Sequence, residues 1–256
     1  MRLTIENLSF RYGGREVLHE ISFAAEEGEL LAILGPNGVG KTTLFKCVMG
    51  LERPCGGRIF ADGTDLSALS PRARAHRVAL IPQVHPLSFR YSVFDMVLMG
   101  TSHNLSPFAI PGERERAAAR AAMEKVNIAH LAGRPFDRLS GGEQQLVFIA
   151  RALSQQAKIL LMDEPTASLD YGNRLRVLQV ARDLARTGYT VLLSTHDPQH
   201  ALWFADRALA LQDGRVLALG EPGRIVTSDL LFAIYGRRID LIPTPQGPVL
   251  VPGEGS

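Results

Sequence analysis

Two glycine-rich segments of this sequence have residue types that bind phosphate groups. The first, GPNGVGKT at residues 35–42, fits the pattern G-x-x-x-x-G-K-[S/T]. Glycines let successive backbone N–H groups turn toward an anion, and a helix that starts behind them adds about half a positive charge. The pattern predicts that Lys41 reaches the β- and γ-phosphates of a nucleotide and that the Thr42 hydroxyl binds Mg²⁺. The alternative, a glycine turn with an exposed lysine, leaves the full spacing unexplained.

Two adjacent carboxylates follow a run of apolar residues in the segment ILLMDEP, residues 159–165. The apolar run predicts a buried strand, and ligands of open α/β sheets bind at the carboxyl ends of such strands. Asp163 is suited to holding Mg²⁺ through its water shell. Glu164 is placed to polarise an attacking water, and general-base help of this kind is worth about 10²- to 10⁴-fold in rate. An isolated Asp-Glu pair more often caps a helix, but the phosphate loop in the same chain favours the metal interpretation.

Two further polar side chains follow apolar runs. His196 comes directly after the β-prone run in LLSTHDP, where its side chain can meet the γ-phosphate. Gln83 ends the run LIPQ in the same manner. Taken alone, such a histidine is more often a helix cap or a surface residue, and such a glutamine is more often an ordinary loop residue. The position after a buried strand favours the functional interpretation for His196.

The second glycine-rich segment, LSGGEQQ at residues 139–145, begins a predicted helix. The hydroxyl of Ser140 and the N–H groups of Gly141 and Gly142 there form a second anion site. A segment carried on a helical insertion cannot easily reach the phosphate that Lys41 of the same chain binds. Two chains that meet head to tail about a twofold axis remove this difficulty, because each ATP then lies between Lys41 of one chain and Ser140 of the other. The sequence therefore predicts a homodimer.

Alternating strand and helix patterns place these segments in an α/β fold. Two β-prone runs at residues 3–10 and 17–23, joined by a glycine turn, predict an antiparallel opening. The apolar runs LLAIL, KILLM and TVLLS are separated by helical sequence, which predicts buried strands of a parallel sheet. Helical patterns dominate from Val93 to Gln156 and indicate a helical insertion between Gln83 and the strand that ends near Asp163.

Composition excludes several classes of function. The chain has 256 residues, with 28 Lys and Arg against 26 Asp and Glu, so its formal charge of +2 gives no reason to expect a nucleic-acid groove. The two cysteines, Cys47 and Cys55, form no metal-ligand pattern and are expected to be reduced. The first ten residues read as a strand and not as a signal peptide. The apolar runs fall short of the roughly 20 residues that cross a bilayer, so we expect any membrane role to come through a partner.

Five motifs in this order, GPNGVGKTT, LSGGEQQ, ILLMDEP, SLD and STHD, resemble the nucleotide-binding subunit of an ATP-binding cassette (ABC) transporter. The resemblance implies a P-loop NTPase core of mixed sheet, formed by residues 1–86 and 157–240 and including an antiparallel β subdomain at the start. It also implies a helical subdomain at about residues 87–156 that carries LSGGEQQ. The Pro- and Gly-rich tail, residues 241–256, is expected to make one short strand pairing around residues 249–251.

The resemblance also implies roles for individual residues. Gln83 would sense Mg²⁺ and the membrane partner, Asp170 would cross to the other chain, and His196 would be the switch histidine. Tyr12 would stack on adenine, which is worth about 1–3 kcal/mol, although a plain hairpin-turn tyrosine remains the alternative. The residues expected to bind ATP are Tyr12, Gly35, Pro36, Asn37, Gly38, Val39, Gly40, Lys41, Thr42, Thr43, Ser140, Gly141, Gly142 and Asp170. Those expected to take part in hydrolysis are Lys41, Gln83, Glu164 and His196, with Thr42, Gln83 and Asp163 at Mg²⁺.

A narrower likeness concerns YSVFDMVLMGTSHNLSPFAIP, YGNRLRVLQVARDLA and VTSDLLFAIYG, which are similar to ATPases of importers for iron chelates, haem, cobalamin, and molybdate or tungstate. It implies an ATP-hydrolysing motor subunit at the cytoplasmic face of the inner membrane. Its partners would be transmembrane permease subunits and, indirectly, an extracytoplasmic substrate-binding protein, with no nucleic acid. Hydrophobic residues near Tyr91 to Met99 would form part of the docking groove for a permease helix, although ordinary core packing accounts for most of them.

Two alternatives belong to other classes of protein. One is a soluble ABC-type ATPase that acts on ribosomes or DNA, but the sequence has one set of motifs and no sustained heptads. The other is an ordinary P-loop kinase, which leaves LSGGEQQ without a purpose. The importer motor is therefore the leading hypothesis, and the cargo is not encoded in these motifs.

Overall fold

The fold is described from a computed structural model for residues 1–83, 91–106, 109–245 and 247–253. Its strands are β1 (Leu3–Tyr12), β2 (Arg15–Ala25), β3 (Leu30–Leu34), β4 (Gly56–Ala61), β5 (Thr64–Asp65), β6 (Val78–Ile81), β7 (Ile159–Asp163), β8 (Thr190–Thr195), β9 (Arg207–Gln212), β10 (Arg215–Gly220), β11 (Ile239–Ile242) and β12 (Val249–Pro252). Its α-helices are α1 (Lys41–Met49), α2 (Pro71–Ala75), α3 (Val93–Leu98), α4 (Glu113–Lys125), α5 (Gly141–Ser154), α6 (Tyr171–Arg186), α7 (Pro198–Phe204), α8 (Pro222–Ile225) and α9 (Ser228–Tyr235). Short 3₁₀ helices occupy Leu66–Ala68, Met99–Asn104, Ala129–Leu131 and Phe136–Arg138.

The central sheet is mixed, as the sequence predicts. Its strand order is β10-β9-β3-β8-β7-β6. The five strands from β9 to β6 run parallel, and β10 pairs with β9 in the antiparallel sense at one edge. The strands β3 and β8 are buried at every position because helices or the second sheet cover both faces. This explains why they read as continuous apolar runs.

The second sheet is antiparallel and contains β2, β1, β4 and β5 in that order. Helix α1 contacts β2 of this sheet and β6 and β7 of the central sheet. A continuous core that includes Leu8, Phe45 and Leu161 therefore fills the space between the two sheets. The predicted antiparallel β subdomain at the start of the chain is confirmed.

Helices α3, α4 and α5 lie between β6 and β7 along the chain and pack on one another. Ala119, Ala122 and Met123 form the buried face of α4. They join one large core with residues of α6 and of the central sheet. Tyr189 lies at the boundary of this region, with the ammonium groups of Lys125 and Lys158 at 4.6 and 4.8 Å from its ring centre. Attraction of this kind is worth about 0.5–2 kcal/mol per pair.

The tail forms a hairpin, since β11 pairs with β12 in the antiparallel sense. The predicted pairing around Val249–Val251 is thereby confirmed, and residues 254–256 lie outside the described part of the chain. Both cysteines are free, as expected. Burial raises the pKa of the Cys47 thiol to about 12, so this thiol is unreactive at neutral pH. Among the helices described, none is long and apolar enough to cross a membrane.

Candidate nucleotide-binding site

The predicted phosphate loop connects β3, which ends at Leu34, to α1, which begins at Lys41. Gly40 precedes the helix with φ of 112°, and a Cβ there would lie 2.8 Å from Leu18 Cδ2. Only glycine tolerates this backbone conformation and this close approach. Lys41 is 4% exposed, and its Nζ donates hydrogen bonds to the carbonyls of Gly35 at 2.7 Å and Pro36 at 3.0 Å. The loop therefore directs its lysine inward, along the loop backbone.

The two predicted carboxylates are held at the end of β7 by a serine of the neighbouring strand. The parallel register places Ser194 beside Asp163. The buried hydroxyl of Ser194 donates to Asp163 Oδ1 at 2.8 Å and accepts the N–H of Glu164 at 2.9 Å. One side chain thus fixes a carboxylate oxygen of one residue and the backbone of the next. Sequence reasoning missed Ser194, although it stands in STHD two positions before His196.

Glu164 connects the phosphate loop to the predicted switch histidine. Its Oε1 lies 3.2 Å from Lys41 Nζ, and its Oε2 lies 3.3 Å from His196 Nδ1. Its φ of 45° is in the left-handed region, which non-glycine residues adopt at a cost of about 1–3 kcal/mol and which recurs at active sites. The Glu164 carboxylate thus lies between a cation and an imidazole.

A cavity of about 380 Å³ lies where these groups meet. Its lining consists of nine predicted site residues, namely Asn37, Gly38, Gly40, Lys41, Thr42, Thr43, Gln83, Asp163 and Glu164. Four others that the sequence predicts for the phosphates, Gly35, Pro36, Val39 and His196, do not line it. The hydroxyl, amide and carboxylate oxygens of Thr42, Gln83 and Asp163 are donors that suit Mg²⁺. In the described ranges, no group of three or more His, Cys, Asp and Glu side chains could hold a metal ion. A bound cation would therefore depend on Thr42, Gln83 and the nucleotide as well as on Asp163.

A second cavity of about 790 Å³ adjoins the first and shares Asn37, Gly38 and Thr43 with it. Tyr12, Pro36 and Val39 also line it. Tyr12 is 45% exposed, and its hydroxyl donates to Glu52 Oε1 at 3.0 Å. A nucleotide whose phosphates fill the first cavity can place its base in the second one.

The second glycine-rich segment lies on a different surface. Ser140 and Gly141 are exposed, and neither lines the two cavities just described. Ser140 caps α5: its N–H and hydroxyl donate to Glu143 Oε2 at 2.8 and 2.9 Å, and its oxygen accepts the Glu143 N–H at 3.3 Å. The two hydrogen bonds that Glu143 accepts from Ser140 lower the pKa of its carboxyl, and the bond from the backbone N–H has the larger effect. The Ser140 hydroxyl, one of the donors predicted to bind an anion, therefore binds a carboxylate of its own helix.

Asp170 lies next to this second segment. It caps α6, accepting the Asn173 N–H at 2.9 Å and the Asn173 side-chain amide at 2.7 Å. The backbone hydrogen bond from Asn173 is the first cause of a lowered pKa at Asp170. Asn173 also packs against Gly142, where a Cβ would lie 2.3 Å from the Asn173 side chain. The first turns of α5 and α6 thus form one surface that carries Ser140, Gly141 and Asp170.

Comparison with known proteins identifies the family. A family model described as ABC transporter matches residues 18–167, more than half of the 256-residue chain. The chain belongs to the ABC transporter family. The match includes the phosphate loop, LSGGEQQ and both carboxylates of ILLMDEP. Members with this arrangement are ATP-binding subunits, and this ABC protein is an ATPase.

Relatives and solved structures cover nearly the whole ABC protein. It is 40% identical to an ABC transporter ATP-binding protein of Haemophilus influenzae over 94% of its own length and 92% of the relative. It is 38% identical to the hemin import ATP-binding protein HmuV of Nocardia farcinica over 95% of its length and 84% of the relative. A solved structure described as an inward-facing metal-chelate type ABC transporter aligns with a TM-score of 0.86 at 34% identity, covering 98% of this chain and 96% of that one.

The hydrogen bonds of Ser194 to Asp163 and Glu164 lead to a testable prediction. Replacing Ser194 with Ala removes the hydrogen bond to Asp163 and leaves the Glu164 N–H without its partner, which costs about 1–3 kcal/mol. We expect a lower melting temperature and a higher Mg²⁺ concentration for half-maximal ATP hydrolysis, measured by magnesium titration of turnover.

A matched control is Ser154→Ala. Ser154 is also buried, and its hydroxyl donates to the Val97 carbonyl at 2.7 Å within the helical segment, that is, the part of the chain that contains α3, α4 and α5. This variant should lose stability without changing the Mg²⁺ dependence. If Ser194→Ala keeps the wild-type Mg²⁺ titration, the hydroxyl does not position Asp163.

Proposed function

We propose that this ABC protein is the motor subunit of an importer: two copies close around two ATP molecules, and hydrolysis reopens them to drive a separate transmembrane permease. The observation that carries the proposal is the division of the predicted ATP contacts between two surfaces. Lys41, Thr42 and Glu164 line one cavity, whereas Ser140 and Asp170 lie on the first turns of α5 and α6. A single chain therefore offers only part of the expected site.

The residues in and around the cavity would have different roles in ATP hydrolysis. The loop N–H groups and Lys41 bind and orient the phosphates, because they form a positive cradle at the start of α1. Glu164 orients the attacking water and takes its proton. His196, 3.3 Å from Glu164, holds that carboxylate and meets the γ-phosphate. Tyr12 stacks on the adenine, and Gly35 to Thr43 supply the remaining contacts to ATP.

Thr42, Gln83 and Asp163 would hold Mg²⁺ at the edge of the same cavity. When bound, this cation neutralises charge on the β- and γ-phosphate oxygens. The hydrogen bond from Ser194 to Asp163 turns the carboxylate toward the cavity and keeps it there. Gln83 follows β6, the last strand before α3, α4 and α5 along the chain, so it stands where the core leads into these helices.

The second copy completes each site in this proposal. Ser140, Gly141 and Gly142 of one chain face the γ-phosphate on Lys41 of the other, and Asp170 crosses the same interface. The exposed positions of Ser140, Gly141 and Asp170 support this arrangement. In a closed dimer the Ser140 hydroxyl would exchange the Glu143 carboxylate for a phosphate oxygen, and both acceptors carry negative charge.

A permease docks on the helical segment in this proposal. A cavity of about 390 Å³ is lined by Phe94, Met123, Ala129 and Ala132, with Arg120 and Glu124 at its edge. The predicted docking segment supplies Phe94 to this cavity, while Tyr91 and Met99 are each 39% exposed nearby along the chain. An apolar floor with charged groups beside it suits a short helix of a partner.

The cargo is inferred from the relatives. The Nocardia farcinica relative is named for hemin import, and the similar solved structure is described as metal-chelate type. A metal chelate such as haem, an iron chelate or cobalamin is therefore the leading cargo, with molybdate or tungstate as a further possibility. The protein would lie on the cytoplasmic face of the inner membrane and would depend indirectly on an extracytoplasmic substrate-binding protein. The ribosome or DNA alternative finds no support among the relatives described above.

Glu164→Gln tests the assignment of the base. The amide keeps the size of the side chain but cannot take a proton, so turnover should fall by about 10²- to 10⁴-fold while ATP binding persists. Gel filtration with ATP should then show a trapped dimer. The control Glu113→Gln alters an exposed carboxylate that pairs with Arg120 and should hydrolyse ATP normally. Wild-type turnover in Glu164→Gln would remove Glu164 from its proposed role.

Ala129→Arg tests permease docking. A long charged side chain at this exposed wall of the cavity should reduce co-purification with a co-expressed permease by about tenfold or more. Ala68→Arg, at an exposed position of the 3₁₀ helix Leu66–Ala68 and outside the lining of this cavity, should co-purify normally, and melting temperatures verify that both variants fold. Equal recovery of permease with both variants would place docking elsewhere. Transport assays of the intact assembly with iron chelates, haem, cobalamin and molybdate then identify the cargo.

A further inference from the structure

Tyr235, the last residue of α9, touches the backbone of the predicted switch histidine. Its hydroxyl donates a hydrogen bond to the carbonyl of His196 at 2.9 Å, across 39 residues of sequence. The His196 side chain itself is 53% exposed and lies 3.3 Å from Glu164. A flexible loop end would let such an exposed imidazole leave Glu164. The hydrogen bond from Tyr235 fixes the backbone of His196 and so restricts the position of its imidazole.

Helix α9 is itself fixed against the nucleotide site. Gln212, at the end of β9, donates through Nε2 to the Ala233 carbonyl at 2.7 Å. Ile234 is 7% exposed and lines the cavity that contains Tyr12. Ile234 therefore belongs to the wall of the cavity expected to hold the adenine. Its neighbour Tyr235 reaches the loop that carries His196, beside the expected γ-phosphate.

The tail hairpin holds the other side of the His196 loop. Gln199, in the first turn of α7, donates to the Pro248 carbonyl at 2.9 Å and accepts the Leu250 N–H at 3.0 Å. Leu250 and the partly buried ring of Tyr235 pack against the same small core. The loop at His196 is thus bound by α9 on one side and anchored through α7 to β12 on the other.

The chemistry of the hydroxyl suits a permanent donor. Burial, and then the charge of Asp197, raise the pKa of Tyr235 above its usual value. The phenol therefore keeps its proton throughout the neutral range and can donate it to the His196 carbonyl. Neither of the two nucleotide cavities includes Tyr235 in its lining, so loss of the hydroxyl removes no direct contact to ATP.

We propose that Tyr235 is a positioning residue for His196, and that α9 with the β11–β12 hairpin forms part of the hydrolysis machinery. The inference rests on the proposed function, because it assumes that His196 acts on the γ-phosphate. Tyr235 acts through the backbone of His196, and the hairpin acts through Gln199. Loss of either contact should slow the hydrolysis step and leave nucleotide binding unchanged.

Tyr235→Phe tests the inference, since it removes one oxygen and keeps the packed ring. We expect kcat for ATP hydrolysis to fall by about 3- to 10-fold with KM for ATP unchanged, the size expected for one lost hydrogen bond. The matched control is Tyr189→Phe. Tyr189 is 8% exposed, and its hydroxyl lies 3.4 Å from Lys125 Nζ at the boundary of the helical segment. It should keep wild-type kcat. A kcat within twofold of wild type for Tyr235→Phe overturns the proposal.

A double variant shows whether Tyr235 acts through His196. Single-turnover rates are measured for His196→Ala and for His196→Ala combined with Tyr235→Phe. Equal rates support the proposal, whereas a further fall of the same size as in the single variant means that Tyr235 acts independently and overturns it. Wild-type turnover in His196→Ala alone would instead remove His196 from the proposed function.

Gln199→Glu tests the hairpin without deleting it. The carboxylate cannot donate to Pro248 but keeps its acceptor for Leu250. We expect a decrease in kcat of about 2- to 5-fold, unchanged KM and a melting temperature close to wild type. Unchanged kcat would overturn the role of the hairpin and would leave the role of Tyr235 to be decided by the Tyr235→Phe measurement.

Discussion

The parallel alignment of three neighbouring strands is the constraint on which this site depends. β3 and β7 flank β8 in the same direction and in fixed register, so that Leu34 lies beside Thr195 and Asp163 beside Ser194. Groups that follow these strands must therefore meet at one edge of the sheet. The phosphate loop, the carboxylates and the His196 loop meet there for this reason, although more than 150 residues of chain separate the first from the last.

The parallel arrangement of these strands also leaves LSGGEQQ outside the cavity. Helix α5 begins in the segment between β6 and β7, and its first turn packs beside that of α6. Ser140 and Asp170 are held there by caps, with Glu143 and Asn173 as their partners. Membership of the ABC transporter family gives the arrangement a purpose, because a second copy can bring this surface to the first cavity. Hydrolysis would then depend on assembly.

Much of the site could be predicted because each motif carries its own structural context. Lys41 and Thr42 follow a strand and begin a helix, and Asp163 ends another strand, so spacing alone placed them at one edge. Ser194 could not be predicted, since its importance depends on its register with Asp163 in a different strand. The role of Tyr235 could not be predicted either, because its contact with His196 spans 39 residues and follows no local pattern. The partner of Ser140 could be foreseen only from the capping-box spacing to Glu143.

Mixed dimers test the shared site most directly. In one, Lys41→Ala and Ser140→Ala are on opposite chains; in the other, both changes are on one chain and the second chain is wild type. If each ATP lies between Lys41 of one chain and Ser140 of the other, the first dimer keeps one intact site and the second keeps none. The account predicts faster single-turnover ATP hydrolysis by the first dimer. Faster hydrolysis by the second would contradict it.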